Sequence, residues 1–248
     1  MTETLNPLEN IVLFDMDGTL TEPRKPFEMS LLPKIRALSE KAEIGIISGS
    51  DLSYIEEQLG YLLHKSEVRY KLHLLPCNGT KHYKPPRGPE ESFVKVHEVN
   101  MKVALGEEDF YTTMKILSLL QSDVSSLSIP LTGNFLQYRG SMINWCPIGR
   151  NADTQERKTF VSFDEHTGFR KDFLKRLKNR LKLANLSGKL TCALGGDTSF
   201  DIYPTGWDKT YGLQHFENKT CWFVGDRCNP TGNDYQIYQQ LLSTGRAF

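Results

Sequence analysis

Four short apolar runs in this chain end the same way. Each is rich in β-branched or aromatic residues, and each stops at a cluster of polar or small ones. They are IVLF before Asp15, EIGII before Ser48-Gly49-Ser50-Asp51, LHLLP before Cys77-Asn78-Gly79, and TCWFV before Gly225-Asp226. Strands that are apolar along their whole length are buried on both faces, which predicts an α/β fold with a parallel sheet between helical layers. The intervening segments agree. Leu32, Ile35, Leu38 and Ala42 recur at helical spacing over residues 30–42, and Asp51 can cap a helix whose Leu52, Ile55 and Leu59 face inward. In open α/β sheets ligands lie beyond the carboxyl ends of the strands, so all four polar clusters are expected to converge on one crevice.

The middle of the chain follows another pattern. KHYKPPRGPEESF, residues 81–93, is polar and proline-rich and reads as a linker or exposed loop. A helix is expected over 108–121, with Phe110, Met114, Leu117 and Gln121 on one side. Hairpin-like strands FLQYR and MINWC follow across Gly140-Ser141, and later KLTCAL and SFDIY are joined through Gly195-Gly196. Between them, 168–183 has the period of an amphipathic helix, with Phe169, Phe173, Leu177 and Leu181 inward and seven Lys/Arg outward. These elements predict an inserted α+β cap domain over 83–204, with an antiparallel sheet, inside a discontinuous core of 1–82 and 205–248. Gly206 and the segment 81–89 are the expected hinges.

A chain of 248 residues with 39% hydrophobic content can bury a sizeable core. Thirty basic and thirty acidic residues cancel, which argues against a nucleic-acid partner. The start, MTETLNPLEN, carries neither a basic nor an apolar leader region, and no run approaches a membrane span, so a soluble, cytoplasmic chain with no membrane partner is expected. Five scattered cysteines, odd in number and without a CxxC pair, suit reduced thiols.

The chemistry is expected in FDMDGTL, residues 14–20. Two carboxylates at the end of a buried strand repel each other and lose water, and a cation normally explains such a pair. Alternation along an extended chain points Asp15 and Asp17 to one side, where both can meet Mg²⁺, a hard ion satisfied by carboxylate and phosphate oxygens. Asp226, ending another strand, completes that expected metal set. The plain alternative is an Asp-Gly turn after a strand.

FDMDGTLT resembles the aspartate-nucleophile motif of the haloacid dehalogenase-like phosphotransferases. IISGSD, RGSMINWCPIGR, GGDTSFDIYPTGWDK and GDRCNPTGND are similar to motifs of one branch, the eukaryotic-type phosphomannomutases, and the likeness runs from about Ile11 to Tyr238. The resemblance implies a Rossmann-like core of that superfamily with an inserted cap. It implies interconversion of mannose 6-phosphate and mannose 1-phosphate through an aspartyl phosphate and a hexose 1,6-bisphosphate, feeding GDP-mannose synthesis. By the same resemblance, Asp15 is the nucleophile, Asp17 the general acid/base, Ser50 a hydrogen-bonding partner of the transferring phosphoryl group, and Lys209 the neutralising cation. Arg24, Arg139 and Arg150 bind the distal phosphate, and Ser199 and Asp201 contact the sugar and its phosphate. Ser48, Asp234 and Tyr238 are further candidates. Mg²⁺ as cofactor, mannose 1,6-bisphosphate or glucose 1,6-bisphosphate as activator, phosphosugars as ligands and a homodimer through the cap complete what the family implies.

Three departures stand against the family pattern. Thr132 replaces an arginine before the Gly-x-Phe of the cap hairpin, Gln240 stands where an acidic residue aligns, and the sequence stops at Phe248 where the family continues into a further strand and helix, so either the core lacks that unit or the sequence is a shortened form. Two rival readings follow: a sugar-phosphate phosphatase, in which water is the acceptor, and a non-catalytic relative that binds phosphosugar or a partner subunit.

Overall fold

The computed structural model describes residues 9–248. MTETLNPL, on which most of the expectation of no leader rests, lies outside them. The chain forms two compact units, one of residues up to Glu98 together with Trp207–Phe248, the other Val99–Gly206.

In chain order the first unit begins with β1 (Asn10–Phe14), α1 (Leu32–Ser39), β2 (Glu43–Ile47), α2 (Leu52–His64), β3 (Leu72–Leu75), β4 (Lys81–Lys84) and β5 (Val94–Glu98). The second unit contributes α3 (Met101–Leu105), α4 (Glu107–Val124), β6 (Leu136–Tyr138), β7 (Ile143–Trp145), α5 (Thr154–Thr167), α6 (Phe169–Leu183), β8 (Leu190–Gly195) and β9 (Ser199–Pro204). The chain then returns to the first unit through a 3-10 turn (Lys209–Phe216), β10 (Thr220–Val224) and α7 (Tyr235–Leu242). Among the described residues no helix is long and apolar enough to cross a membrane.

The first sheet has the order β10-β1-β2-β3-β4-β5, with β10, β1, β2 and β3 parallel and the last two antiparallel. Alternation along the strands divides its core in two. Ile44, Ile46, Leu72 and Leu74 pack on one face with Ile35, Ile55 and Leu59 of α1 and α2. Ile11, Leu13, Ile47, Leu75 and Phe223 pack on the other with Phe216 and with Ile237 and Leu241 of α7. Because four strands are parallel, their carboxyl ends and the polar clusters that follow lie along one edge of the sheet. Backbone bonds tie those ends together: Asp15 N to Val224 O at 2.9 Å, Cys77 N to Ser50 O at 2.8 Å and Asn78 N to Ser48 O at 2.8 Å.

One boundary differs from expectation. The polar segment 81–93 opens with a strand rather than a linker: Lys81–Lys84 pairs with β3 through Leu74 and Tyr83 and with β5 along its length. Its inward-facing residue is His82, 3% exposed, so a buried strand position carries a polar side chain and the apolar alternation that marks a strand is missing. The units therefore divide after Glu98 rather than after residue 82, and after Gly206 rather than 204. Residues 81–84, expected to begin a hinge, are paired on both sides within the first sheet. At the other end, residues 246–248 run parallel to β10, with Phe223 N bonded to Arg246 O at 2.9 Å and Phe248 N to Phe223 O at 3.0 Å.

The second unit has a four-stranded antiparallel sheet of order β6-β7-β9-β8. Trp145, Phe200 and Ile202 are fully buried, as are the inward residues of α4 and α6. Helix α6 buries Phe169, Phe173, Leu177 and Leu181. Part of its basic face is spoken for: Arg176 and Arg180 reach Asp123 at 2.6 and 3.3 Å, and Arg170 meets Asp164 at 2.6 Å.

Candidate active site

Asp15 follows β1 directly and is 5% exposed. Its carboxylate accepts a short hydrogen bond from Lys209 Nζ, and the same ammonium donates to Asp234 Oδ1 at 2.5 Å. Lys209 and Asp234 are fully buried, so one cation sits between two carboxylates away from water. Asp15, Asp226 and Asp234 bring carboxylate oxygens within 4.8 Å of one another. Burial pushes the Asp15 carboxyl up to about 7; the Lys209 ammonium pulls against this and the Asp234 charge adds to it. Asp226 is also raised, first by burial and then by Asp234. Burial lowers the Lys209 ammonium, but Asp15 and Asp234 outweigh that and hold it protonated well above its ordinary range. A donor set of carboxylate oxygens with excess negative charge fits a hard divalent cation.

Asp234 enters this group and the Asp17 carboxylate does not. Side-chain alternation cannot bring Asp15 and Asp17 together, because β1 stops at Phe14 and residues 16–21 form a turn closed by Gly18 N to Thr21 O at 2.7 Å. Gly18 has φ +93°, and a Cβ there would lie 2.3 Å from Asp226 Oδ2, so this turn must be glycine for Asp226 to approach. Asp17 is instead held by α2: its Oδ1 accepts from Tyr54 Oη at 3.1 Å and from Gln58 Nε2 at 3.2 Å. Gln58 Oε1 in turn accepts from buried Thr21 Oγ1 at 2.6 Å. Burial first, and then Asp17, push the Tyr54 hydroxyl up to about 12, so it remains a donor. Tyr54 and Gln58 are one helical turn apart, and sequence reasoning passed over both. On the acid/base role that the family resemblance implies for Asp17, Tyr54→Phe is expected to lower kcat by about 10- to 100-fold with KM within about twofold, since it removes a group that orients this carboxylate; steady-state kinetics on the variant check this.

The other core candidates occupy the sheet edge or its surroundings. Ser48 is buried and its Oγ accepts from Ser50 N at 3.1 Å, which shapes the loop after β2 and leaves the Ser50 side chain half-buried. Asp51 caps α2 by accepting from Tyr54 N. Arg24 is exposed, at φ +63°, and close enough to Tyr54 to act on its hydroxyl. Tyr238 packs among the apolar residues beneath α7, and Gln240 is exposed on that helix.

In the second unit, cross-strand register gathers the candidates on one face of the sheet. Gln137, Asn144, Asp201 and Ala193 are successive partners across β6, β7, β9 and β8. Arg139 lies two residues beyond Gln137 and Ser199 two before Asp201, so both share that face. Asn144 Nδ2 donates to Asp201 Oδ1 at 2.8 Å, and Asn144 Oδ1 accepts from Arg150 Nη1 at 3.0 Å. Arg139 donates to Gln137 at 3.1 Å, and Ser199 donates to Gly195 O at 2.8 Å. Arg139, Asn144, Ser199 and Asp201 are all buried. Asn144 and Gln137, which link the candidates, were not among those expected; their signal was strand alternation within MINWC and FLQYR. Thr132 supplies no guanidinium here. Its backbone N and its Oγ1 both donate to Ile148 O, at 2.9 Å each, fastening the loop that carries Arg150.

The chain is similar to known proteins along nearly its whole length. The eukaryotic phosphomannomutase family model matches residues 31–247. Phosphomannomutases of Arabidopsis thaliana, Dendrobium officinale and Encephalitozoon cuniculi are 36%, 35% and 36% identical to it. The matches cover 96%, 95% and 93% of this chain and 90%, 87% and 84% of those proteins. Among solved structures, N-terminally truncated Plasmodium falciparum IMP-nucleotidase aligns with a TM-score of 0.62 at 17% identity over 92% of this chain. The chain spans 63% of that structure's length, and the likeness is one of fold alone. Sequence likeness along nearly the whole chain, joined to this fold, places the chain in the eukaryotic phosphomannomutase family.

Proposed function

We propose that this chain interconverts mannose 6-phosphate and mannose 1-phosphate by phosphoryl transfer through Asp15. The supporting observation is the buried ammonium of Lys209 shared by Asp15 and Asp234, with Asp226 beside them. An Asp15 carboxylate oxygen attacks one phosphorus of the hexose 1,6-bisphosphate and forms an acyl phosphate, while the bond from phosphorus to the sugar oxygen breaks and that oxygen takes a proton from Asp17, leaving a hexose monophosphate. In the other half-reaction Asp17 removes the proton from the free hydroxyl of a monophosphate, whose oxygen attacks the phosphorus on Asp15, breaks the acyl-phosphate bond and regenerates the bisphosphate. Tyr54 and Gln58 keep the Asp17 carboxylate turned for this exchange. Lys209 offsets the charge that a second anion would add beside Asp15. In the second unit, Arg139 and Arg150 are assigned to a phosphate and Ser199 and Asp201 to the sugar. Ser50 is assigned to the transferring group.

Asp15, Asp226 and Asp234 would hold Mg²⁺, which when bound screens carboxylate from phosphate. The proposal extends, on the family resemblance, to a hexose 1,6-bisphosphate activator, a homodimer joined through the second unit, a cytoplasmic location and a product feeding GDP-mannose synthesis.

Phosphorus NMR of the purified chain with Mg²⁺, mannose 1-phosphate and glucose 1,6-bisphosphate tests the reading. Conversion to mannose 6-phosphate that Asp15→Asn abolishes is the expected result. Absence of isomerisation overturns the proposal, and release of inorganic phosphate instead would establish the phosphatase alternative. Titration calorimetry with Mg²⁺ should show Asp226→Asn weakening binding by more than about tenfold, and Asp17→Asn by less than about threefold, since only the former removes a carboxylate from the cluster.

A further inference from the structure

Four of the chain's six histidines meet in the first unit. His73, His82 and His97 come from the adjacent strands β3, β4 and β5, and His215 from the 3-10 turn that begins with Lys209. His73 Nδ1 lies 2.9 Å from His82 Nε2, and His73 Nε2 lies 3.1 Å from Glu43 Oε2. The ring of His215 stands 4.6 Å from that of His82 and 4.8 Å from that of His97. His215 Nε2 faces Gly79 O at 2.7 Å, and His97 Nε2 meets Tyr211 Oη at 3.0 Å. Phe216 sets its ring edge-on against both His73 and His82.

Through these contacts the turn is docked at its far end. Its middle is docked by backbone, since a Cβ on Gly79 would lie 2.6 Å from Gly212 Cα. Its entry is held by Asn78 Nδ2, which donates to Trp207 O at 3.1 Å. The placement of Lys209 against Asp15 thus depends on a short segment whose far end is held by His215 and Phe216, with Tyr211 bonded to His97 between.

Proton positions follow from the partners. Gly79 O only accepts, so His215 Nε2 carries hydrogen and its Nδ1 is bare when the ring is neutral. Glu43, as a carboxylate, likewise fixes a hydrogen on His73 Nε2. A neutral His73 then accepts at Nδ1 from His82 Nε2, and His82 Nδ1 is bare. An added proton at either bare nitrogen places a cation among imidazoles about 5 Å away, beside the buried rings of His73 and His82. The charged groups around it offer little relief. Lys84 faces His82, Glu43 is shared with Lys219 at 3.1 Å, and Glu98 is occupied by Lys81 and Lys95.

We propose that His215, seated on His82, is a positioning residue for phosphoryl transfer: the neutral cluster clamps the 3-10 turn so that Lys209 stays on Asp15, and protonation of the cluster releases it. The inference rests on the mutase reading for its kinetic consequence. Burial, then the neighbouring His73, His215, Lys84 and His97, lowers His82 to about 3, and burial also lowers His215 against the opposing pull of its bond to Gly79. A histidine depressed in the docked state takes its proton more readily when undocked. Docking is therefore fully favoured above the unperturbed value near 6.5 and weakens as pH falls below it, because undocking the turn takes the His215 ring away from His82 and His97.

Two variants and two readouts test this. His215→Gln keeps an N–H donor for Gly79 O but cannot become charged, and His215→Leu has neither property. The expected result is that His215→Gln retains kcat at pH 7.5 within about threefold and moves the acid limb of the kcat profile down by about one pH unit or more. His215→Leu should lower kcat by at least about tenfold with KM within about twofold. An unchanged acid limb in His215→Gln, or a His215→Leu enzyme with normal kcat, overturns the inference. Amide hydrogen exchange over 209–216, corrected for intrinsic pH dependence, should quicken as pH falls below about 6 in the parent chain and do so less in His215→Gln. This readout is independent of turnover. A chain lacking isomerase activity overturns the mutase reading alone, whereas pH-independent protection of 209–216 overturns the clamp.

Discussion

Asp15→Asn should reduce isomerisation by at least about 10³-fold while the protein stays folded. A carboxamide does not form an acyl phosphate, so the covalent step has no substitute, and what remains is the uncatalysed exchange at a site that still binds phosphosugar. The variant leaves Lys209 paired with Asp234, so its buried charge stays compensated. Thermal unfolding of parent and variant, run beside the phosphorus NMR assay, distinguishes loss of chemistry from loss of structure. Phosphosugar binding should persist within about tenfold, because the assigned sugar and distal-phosphate contacts belong to other side chains.

Lys209→Met should have its largest effect on stability. The ammonium is fully buried between Asp15 and Asp234, and removing it leaves two carboxylates facing each other with Asp226 nearby. Breaking a buried ion pair by deleting one partner costs about 3 to 5 kcal/mol. Urea denaturation should show a loss of that size in the absence of divalent cations, and Mg²⁺ should restore more stability to the variant than to the parent, because no ammonium then stands between Asp15 and Asp234. Equal gains in the two proteins would place the cation elsewhere.

How much of this was legible in the sequence depended on what each residue buries. The strands that carry Asp15, Ser48 and Asp226 were visible because both faces of each are apolar. Strand β4 was hidden, since its inward residue is His82 and its neighbours are lysines, a pattern that periodicity reads as solvent-facing. Helix α5 was missed for a different reason: its buried residues reduce to Phe160. Its start was written plainly in Asp153 and Glu156, which form a reciprocal capping box. At the site, Asp15 and Lys209 could be assigned from motif resemblance, but the company they keep could not. The extended-chain argument paired Asp15 with Asp17, and a turn beginning one residue after β1 replaced that partner with Asp234. Tyr54 and Gln58 carry no motif signal; only the packing of α2 on the turn brings them to Asp17.

The bond between Lys209 and Asp15 joins residues 194 positions apart, and β10 pairs with β1 over a similar span. The whole second unit is threaded between them. During synthesis β1 must wait with one edge unpaired while more than a hundred residues of α+β structure are made and folded. Long-range strand pairing of this kind is slow, and the waiting edge is open to the wrong partner. Asp15 and its counter-charge therefore come together late in folding. A growing chain carries Asp15 from early on, but gains Lys209 and Asp234 only after the second unit has been made.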